Sequence, residues 1–207
     1  MNLIYLHGFA SSPQSSKAQF FRRCFEELGI EMRIPDLNQG DFEHLTLGRQ
    51  LRLIEELATG EDVRLMGSSM GGYLAALYAA RHSEVSKVVM LAPAFGFARR
   101  WRATLGETKV GEWRRAGSLP HYHYGEKMER NLGYQLLEEA EQYEDYPVVR
   151  QPALIFHGRA DDVVSCEYSQ EFAERNSHVR LRIVESGHEL LNVLDPMWEE
   201  VREFLAV

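Results

Sequence analysis

Residues 63–77, VRLMGSSMGGYLAAL, pass from a short apolar run through a turn of glycine and serine into a segment with helical spacing of leucines. Residues 67–71 match G-x-S-x-G, the pattern in which a serine stands on a sharp turn between a strand and a helix. The positions two before and two after that serine must lack side chains, because the strand and the helix approach each other there. Both positions are glycine around Ser69, whereas methionines occupy them around Ser68. We therefore predict Ser69 to be a catalytic nucleophile.

A phosphate-binding glycine turn at a helix N-terminus is the competing interpretation of the same residues. The spacing does not form G-x-G-x-x-G, and no lysine follows the turn as a P-loop requires. Because short patterns also arise by chance, the catalytic interpretation requires a histidine and a carboxylate elsewhere in the chain.

Short apolar runs alternate with helical patterns along the chain. The runs are aliphatic or β-branched, and they cover residues 3–6, 31–34, 63–66, 87–91, 153–156 and 179–184. Residues 17–28 and 43–58 carry apolar side chains at helical spacing, and Asp195 is expected to cap a last helix whose first residue is Pro196. The alternation predicts one α/β domain, residues 1–207, in which a parallel sheet has helices on both faces.

The segment from about residue 96 to residue 149 interrupts this alternation. It contains no convincing strand and is dense in aromatic residues, and Phe97, Trp101 and Leu105 share one helical face. So many large apolar side chains cannot all stay in solvent. We expect a mostly helical insertion that forms a lid.

Position along the chain selects a base for Ser69, because catalytic groups on a parallel sheet come from loops at the carboxyl ends of its strands. Of the eight histidines, His188 follows the last predicted strand and precedes the last helix. His7 and His157 also follow strands, but each stands in a His-Gly pair that we assign to the turn itself. His188 is therefore the predicted base.

The orienting acid is expected after the strand 153–156, where Asp161 and Asp162 are adjacent. The frame H-G-x-x-D-x-x-V selects Asp161, and Asp162 is then expected to be solvated or to cap a helix. The resulting chain order of serine, aspartate and histidine is that of α/β hydrolases, and differs from the orders in chymotrypsin and subtilisin.

Two backbone amides are predicted to form the oxyanion hole. The amide of Met70 follows the nucleophile at the start of a helix, whose dipole favours negative charge. The second donor is expected from the loop after the first strand, where His7-Gly8 leads to Phe9. A plain strand-ending turn is the alternative for that His-Gly pair.

Composition limits the partners and the compartment. The chain has 207 residues and a formal net charge of −8, so a general surface for nucleic acid or an anionic membrane is not expected. The N-terminal residues have neither the basic region of a signal peptide nor the length of a membrane span. Its two cysteines suit a reduced compartment, and we predict a cytoplasmic protein without a metal site.

These motifs resemble the α/β-hydrolase superfamily, over the chain from residue 3 to its last helix. YLHGFASSPQSSKA, residues 5–18, and GSSMGGY, residues 67–73, resemble the compact bacterial YqiA/YcfP-type esterases. Residues 117–141 and HGRADDVV, residues 157–164, look more like the acyl-protein thioesterase/acyl-glucuronide esterase branch. The resemblance implies about six parallel strands in the order 2-1-3-4-5-6. It also implies hydrolysis of carboxylic esters or thioesters through an acyl-enzyme, with no cofactor.

The acyl pocket is expected where the insertion meets the oxyanion loop. Its predicted lining is aromatic and comprises Phe9, Trp101, Trp113, Tyr122 and Tyr124. The alternative is that these side chains form the small core of the lid itself. Two further functions remain open: an acyltransferase or perhydrolase would use the same three residues, and a binding protein on this fold would be catalytically silent. A dehalogenase or epoxide hydrolase would need an aspartate where Ser69 stands.

Overall fold

Six of the eight strands in the computed structural model, which describes residues 1–176 and 178–207, form one sheet. In chain order the strands are β1 (Asn2–Leu6), β2 (Met32–Arg33), β3 (Val63–Ser68), β4 (Val85–Leu91), β5 (Ser118–His123), β6 (Met128–Gly133), β7 (Ala153–Gly158) and β8 (Val179–Val184). The order across the sheet is β2-β1-β3-β4-β7-β8, and every neighbouring pair is parallel. When only the six strands of this sheet are numbered along the chain, their order is 2-1-3-4-5-6, as predicted. The α/β prediction is confirmed.

Seven α-helices accompany the sheet in the described part of the chain. They are α1 (Ser16–Glu27), α2 (Leu47–Leu57), α3 (Met70–Ala79), α4 (Phe97–Ala116), α5 (Gln135–Ala140), α6 (Glu167–Arg175) and α7 (Leu194–Leu205). Within the described residues, no helix combines the length and the apolar character needed to cross a membrane.

Both faces of the sheet are buried, which produces three layers. Along β1, Ile4 and Leu6 pack in the core shared with α2, α3 and α6, whereas Leu3 and Tyr5 pack in the core shared with α1 and α7. Successive residues of a strand point to opposite faces, so a strand with both faces covered has a continuous apolar sequence. This burial explains the apolar run of an inner strand such as β7, whereas the edge strand β8 alternates with the exposed Arg180 and Arg182.

The segment between β4 and β7 differs from the prediction that it lacks strands. It consists of α4, an antiparallel hairpin of β5 and β6, and α5. The prediction was wrong because the hairpin strands, SLPHYH and MERNLG, are largely polar and exposed and therefore lack an aliphatic run. α4 is also kinked at Gly106, whose backbone is not helical.

The predicted start of the last helix is also wrong. A short 3₁₀ turn at Leu191–Val193 leads directly into α7, whose first residue is Leu194. Asp195 therefore lies inside the first turn and does not cap the helix. Its carboxylate still lies near the positive end of the helix dipole, where negative charge is favoured.

Candidate active site

Ser69 stands on a strained turn between β3 and α3. Its backbone is in an unusual conformation, with φ 55° and ψ −118°, and its amide donates to the carbonyl of Leu91 at 2.8 Å. A Cβ added to Gly67 would lie 2.2 Å from the carbonyl oxygen of Gly71, and one added to Gly71 would lie 2.0 Å from the carbonyl oxygen of Leu6. Both glycines are therefore required by space, because no side chain fits between the elbow and its neighbours.

His188 lies on the loop between β8 and α7 and reaches Ser69. Its Nε2 is 3.1 Å from Ser69 Oγ, within hydrogen-bond distance. The loop packs closely on the end of β7, since a Cβ on Gly158 would lie 2.3 Å from the carbonyl oxygen of Ser186. The loop is also held by Lys17, whose Nζ donates to the carbonyl of Glu189 at 2.8 Å.

Asp161 lies on the turn after β7, with its side chain fully buried. Its Oδ2 is 2.7 Å from Nδ1 of His188, and its Oδ1 accepts from the amides of Val163 and Val164 at 2.9 and 2.8 Å. Asp162 is exposed, so of the two adjacent carboxylates only Asp161 meets the imidazole. The carboxylate of Asp161 can only accept a hydrogen bond, so Nδ1 of His188 carries the proton. Nε2 of His188 is then free to accept a hydrogen bond from the Ser69 hydroxyl.

The pKa of the Asp161 carboxyl reflects opposing influences. Burial raises the pKa, but hydrogen bonds from His157 and His188 and from the amide of Val164 outweigh it and hold the pKa well below its usual range. Asp161 is therefore a carboxylate at neutral pH, the form that can orient an imidazole.

Two residues near this arrangement were not predicted to support it. His157 had been assigned to its turn, but its Nε2 lies 3.1 Å from Asp161 Oδ2. Lys17, to which the sequence patterns assign no role, anchors the loop of His188. The H-G-x-x-D frame, which contains His157, is a sequence signal that could have indicated its role. The contact of Lys17 joins residues 172 positions apart, and no sequence pattern indicates it. His7, by contrast, contacts its own turn, since its Nδ1 lies 2.9 Å from the carbonyl oxygen of Gly8, and its Nε2 also accepts from the amide of Leu37 on another loop at 3.0 Å.

The two segments that carry the predicted oxyanion donors both adjoin Ser69. Met70 begins α3, and the loop of Phe9 approaches the elbow so closely that a Cβ on Gly8 would be 3.5 Å from Ser69 Cβ. Neither the amide of Phe9 nor that of Met70 donates to a backbone carbonyl within the described chain. The tip of the hairpin supports this loop, since the amide of Gly125 donates to the carbonyl of Ala10 at 3.2 Å.

Three rings surround the side chain of Phe9, and the four rings together form a group that we call the aromatic cluster. The ring centroids of Trp101, His121 and Phe42 lie 5.1, 4.9 and 5.4 Å from that of Phe9. Trp101 comes from α4 and His121 from β5, so the insertion forms one wall beside the oxyanion loop. Burial lowers the pKa of His121, which favours its neutral form in this apolar environment.

The other predicted pocket residues lie outside the aromatic cluster. Trp113 is buried behind Trp101, at 5.7 Å between ring centroids, and its Nε1 donates to the carbonyl of Leu132 at 2.9 Å. Tyr122 and Tyr124 are 46% and 68% exposed and pack against each other. Neighbouring residues of a strand face opposite sides, so Tyr122 points away from the side that carries His121. These three residues therefore do not line the predicted pocket, and Trp113 packs behind Trp101.

Within residues 1–176 and 178–207, no group of three or more His, Cys, Asp or Glu side chains is placed to hold a metal ion. His121 and His123 do share one side of β5, but His123 is buried against the ring of Phe42 at 4.8 Å.

The strand order and the serine turn between β3 and α3 are those of the α/β-hydrolase fold. Solved structures with the same fold include a protein from Agrobacterium vitis S4 with a provisional hydrolase assignment (TM-score 0.83, 24% identity, 98% of this chain and 87% of that chain). The mouse alpha/beta hydrolase domain-containing protein 10 is similar as well (TM-score 0.82, 20% identity, 99% and 89% coverage). The chain belongs to the uncharacterised protein family UPF0227, whose family model matches residues 2–206.

A curated relative lies in the thioesterase branch. The bovine palmitoyl-protein thioesterase ABHD10, mitochondrial, is 29% identical over 190 residues, which are 84% of this chain. The chain spans 61% of the length of that relative. The predicted resemblance to the superfamily and to its thioesterase branch is confirmed, whereas the cytoplasmic location stays a prediction.

Proposed function

We propose that this protein is a serine hydrolase that cleaves carboxylic esters or thioesters. The observation that carries the proposal is a continuous hydrogen-bonded path, from Asp161 Oδ2 to His188 Nδ1 at 2.7 Å and from His188 Nε2 to Ser69 Oγ at 3.1 Å. A serine hydroxyl becomes a strong nucleophile when a histidine accepts its proton and a carboxylate fixes the tautomer of that histidine. The three residues have the distances and the order of partners that this chemistry needs.

The reaction follows from these positions. Ser69 Oγ attacks the acyl carbonyl carbon while His188 Nε2 accepts the hydroxyl proton, and the amides of Phe9 and Met70 bind the developing oxyanion. The bond to the leaving group then breaks, and His188 returns the proton to the departing alcohol or thiol. Water, deprotonated by the same imidazole, attacks the acyl-enzyme and releases the acid.

The aromatic cluster supports an apolar acyl group as the substrate portion next to Ser69. Phe9 links the cluster to the proposed oxyanion hole, so an acyl chain bound at that carbonyl would extend along the rings of Trp101 and His121. We propose the segment of α4, β5 and β6 as the lid of this pocket. The names of two relatives agree with such substrates: one is a palmitoyl-protein thioesterase, and Est1E from Butyrivibrio proteoclasticus has been solved with ferulic acid bound.

Replacement of Ser69 tests the proposal directly. Ser69→Ala should lower the hydrolysis of p-nitrophenyl esters by several orders of magnitude and abolish labelling by a fluorophosphonate probe, because no nucleophile remains. Ser68→Ala is the matched control, since Ser68 is the adjacent buried serine and should remain within a few-fold of wild type. Equal hydrolysis by wild type and Ser69→Ala would refute the assignment. A folded wild-type protein that neither hydrolyses nor becomes labelled would favour a binding function.

A further inference from the structure

His157 occupies a fully buried position at the end of β7, beside the carboxylate that contacts His188. Its Nε2 lies 2.8 Å from the carbonyl oxygen of Val164 and 3.1 Å from Asp161 Oδ2. Its Nδ1 lies 2.7 Å from the hydroxyl of Ser169, which is also fully buried on α6. Both nitrogens of the ring thus have partners, and the ring cannot turn without losing them.

The partners determine where the ring carries its proton. Nε2 faces only acceptors, a carbonyl and a carboxylate, so Nε2 must carry a hydrogen. The hydroxyl of Ser169 can donate to Nδ1, which leaves a neutral ring with its N–H directed at Val164 and Asp161. Ser169 thereby acts on Asp161 through the tautomer of His157.

The same carboxylate oxygen serves both histidines. Asp161 Oδ1 is held by the amides of Val163 and Val164, while Oδ2 contacts His157 on one side and His188 on the other. We propose that His157 is a positioning residue, which fixes Oδ2 of Asp161 at the point where it orients His188. This inference rests on the proposed hydrolase function, since it assigns His157 a part in the same site.

Charged and ionisable groups from several elements surround Asp161 and bear on the pH range in which this role is visible. They are His157 on β7, His188 on its loop, the neighbouring Asp162, Lys17 on α1 and Arg100 on α4. Burial is the largest influence on the pKa of Asp161 and raises it. The hydrogen bond from His157 is the largest of the influences that lower this pKa. Loss of this donor should therefore raise the pKa of Asp161 and weaken the orientation of His188 at acidic pH.

Two polar substitutions separate positioning from mere packing. His157→Gln can place an amide N–H near the original Nε2 and reach Asp161, whereas the amide of His157→Asn lies near the original Nδ1 and reaches only towards Ser169. We expect His157→Gln to keep kcat within about threefold of wild type and His157→Asn to lose about 10- to 100-fold in kcat, with KM little changed. The acidic limb of the pH–rate profile should move to higher pH in His157→Asn alone.

A readout without substrate separates this inference from the proposed function. The carboxyl ¹³C shift of Asp161, followed against pH, should report a raised pKa in His157→Asn and a wild-type pKa in His157→Gln. Thermal unfolding of each variant measures any structural loss, and His157→Leu replaces His157→Asn if the latter does not fold. Equal kcat losses with unchanged titration in both variants, or wild-type behaviour of His157→Asn, would overturn the positioning role. An inactive wild type whose Asp161 titration still depends on His157 would refute the hydrolase function only.

Discussion

Three residues of the proposed site or next to it have a backbone with positive φ. Ser69 has φ 55°, Ala10, next to Phe9, has φ 51°, and Leu190, two residues after His188, has φ 56°. Such conformations cost about 1–3 kcal/mol each in residues other than glycine, and they persist only where neighbouring contacts hold them. The hydrogen bond from Gly125 to Ala10 and the close packing of the elbow are contacts of this kind. Part of the backbone strain of this protein therefore lies at the proposed site.

The glycines of the elbow should not tolerate even a methyl group. Gly71→Ala would place a Cβ 2.0 Å from a backbone oxygen of β1, so we expect a loss of more than about 2 kcal/mol in unfolding free energy together with most of the activity. Gly111→Ala is the control, because a Cβ there meets nothing within 4 Å inside α4, and it should stabilise by about 0.5–1 kcal/mol. Urea unfolding measures both values. A stable, active Gly71→Ala would contradict the steric explanation of the motif.

The rings of the aromatic cluster should differ in effect from the exposed rings of the same segment. Trp101→Ala removes the edge-to-face partner of Phe9, and we expect kcat/KM for esters with an apolar acyl group to fall about tenfold. Tyr124→Ala removes an exposed ring and should leave kcat/KM unchanged. Steady-state kinetics over a series of acyl chain lengths checks this difference. Equal effects of the two substitutions would show that the acyl group does not bind along the aromatic cluster.

Contacts between elements hold the loop that carries His188. α1 contributes Lys17, whose side chain is 10% exposed and whose Nζ bonds the carbonyl of Glu189 at 2.8 Å. Burial lowers the pKa of Lys17, although the carboxylates of Glu189 and Asp161 oppose that effect. The ion pair with Glu189 is long, at 4.0 Å, and that carboxylate is 77% exposed, so the bond to the carbonyl is the contact that matters.

Loss of the Lys17 ammonium should therefore loosen the His188 loop. Lys17→Met keeps most of the aliphatic stem but leaves the Glu189 carbonyl without its donor, and we expect it to cost about 1–3 kcal/mol in unfolding free energy. The kcat should fall about tenfold, because the base is less well placed. Lys109→Met, at an exposed position of α4, is the matched control and should change neither quantity. A Lys17→Met variant with wild-type kcat would show that the loop is held by its other contacts.

The whole molecule brings together residues that are remote in sequence. His188 lies 119 residues from Ser69 and 27 from Asp161, yet the three side chains are in contact. The parallel order of β3, β4, β7 and β8 places the carboxyl ends of these strands at one edge, and the loops after β3, β7 and β8 supply the three groups. The site therefore depends on folding of the entire sheet.

The buried carboxylate of Asp161 should also link stability to pH. Its pKa is lower in the folded protein than its ordinary value of 3.8, so its contribution is present above about pH 4 and is lost as pH falls below that value. We expect wild type to exceed Asp161→Asn in unfolding free energy at pH 7 and this difference to shrink towards pH 2. The exposed Asp162→Asn is the control, with a small difference at all pH values. A difference for Asp161→Asn that is constant with pH would contradict the lowered pKa.

The order of the strands was implied by the resemblance to a known superfamily. Local rules, by contrast, predicted the parallel sheet and singled out Ser69, Asp161 and His188 as candidate site residues. Each of these depends on nearby residues: apolar runs bury both faces of a strand, and glycines leave room beside Ser69. Tertiary packing alone decided that Trp113 is buried behind the pocket, that Tyr122 faces solvent and that β5 pairs with β6. It also placed His157 and Lys17 beside the site. These outcomes depend on contacts between distant segments, and no local pattern of residue types encodes which face of an exposed hairpin will meet the rest of the molecule.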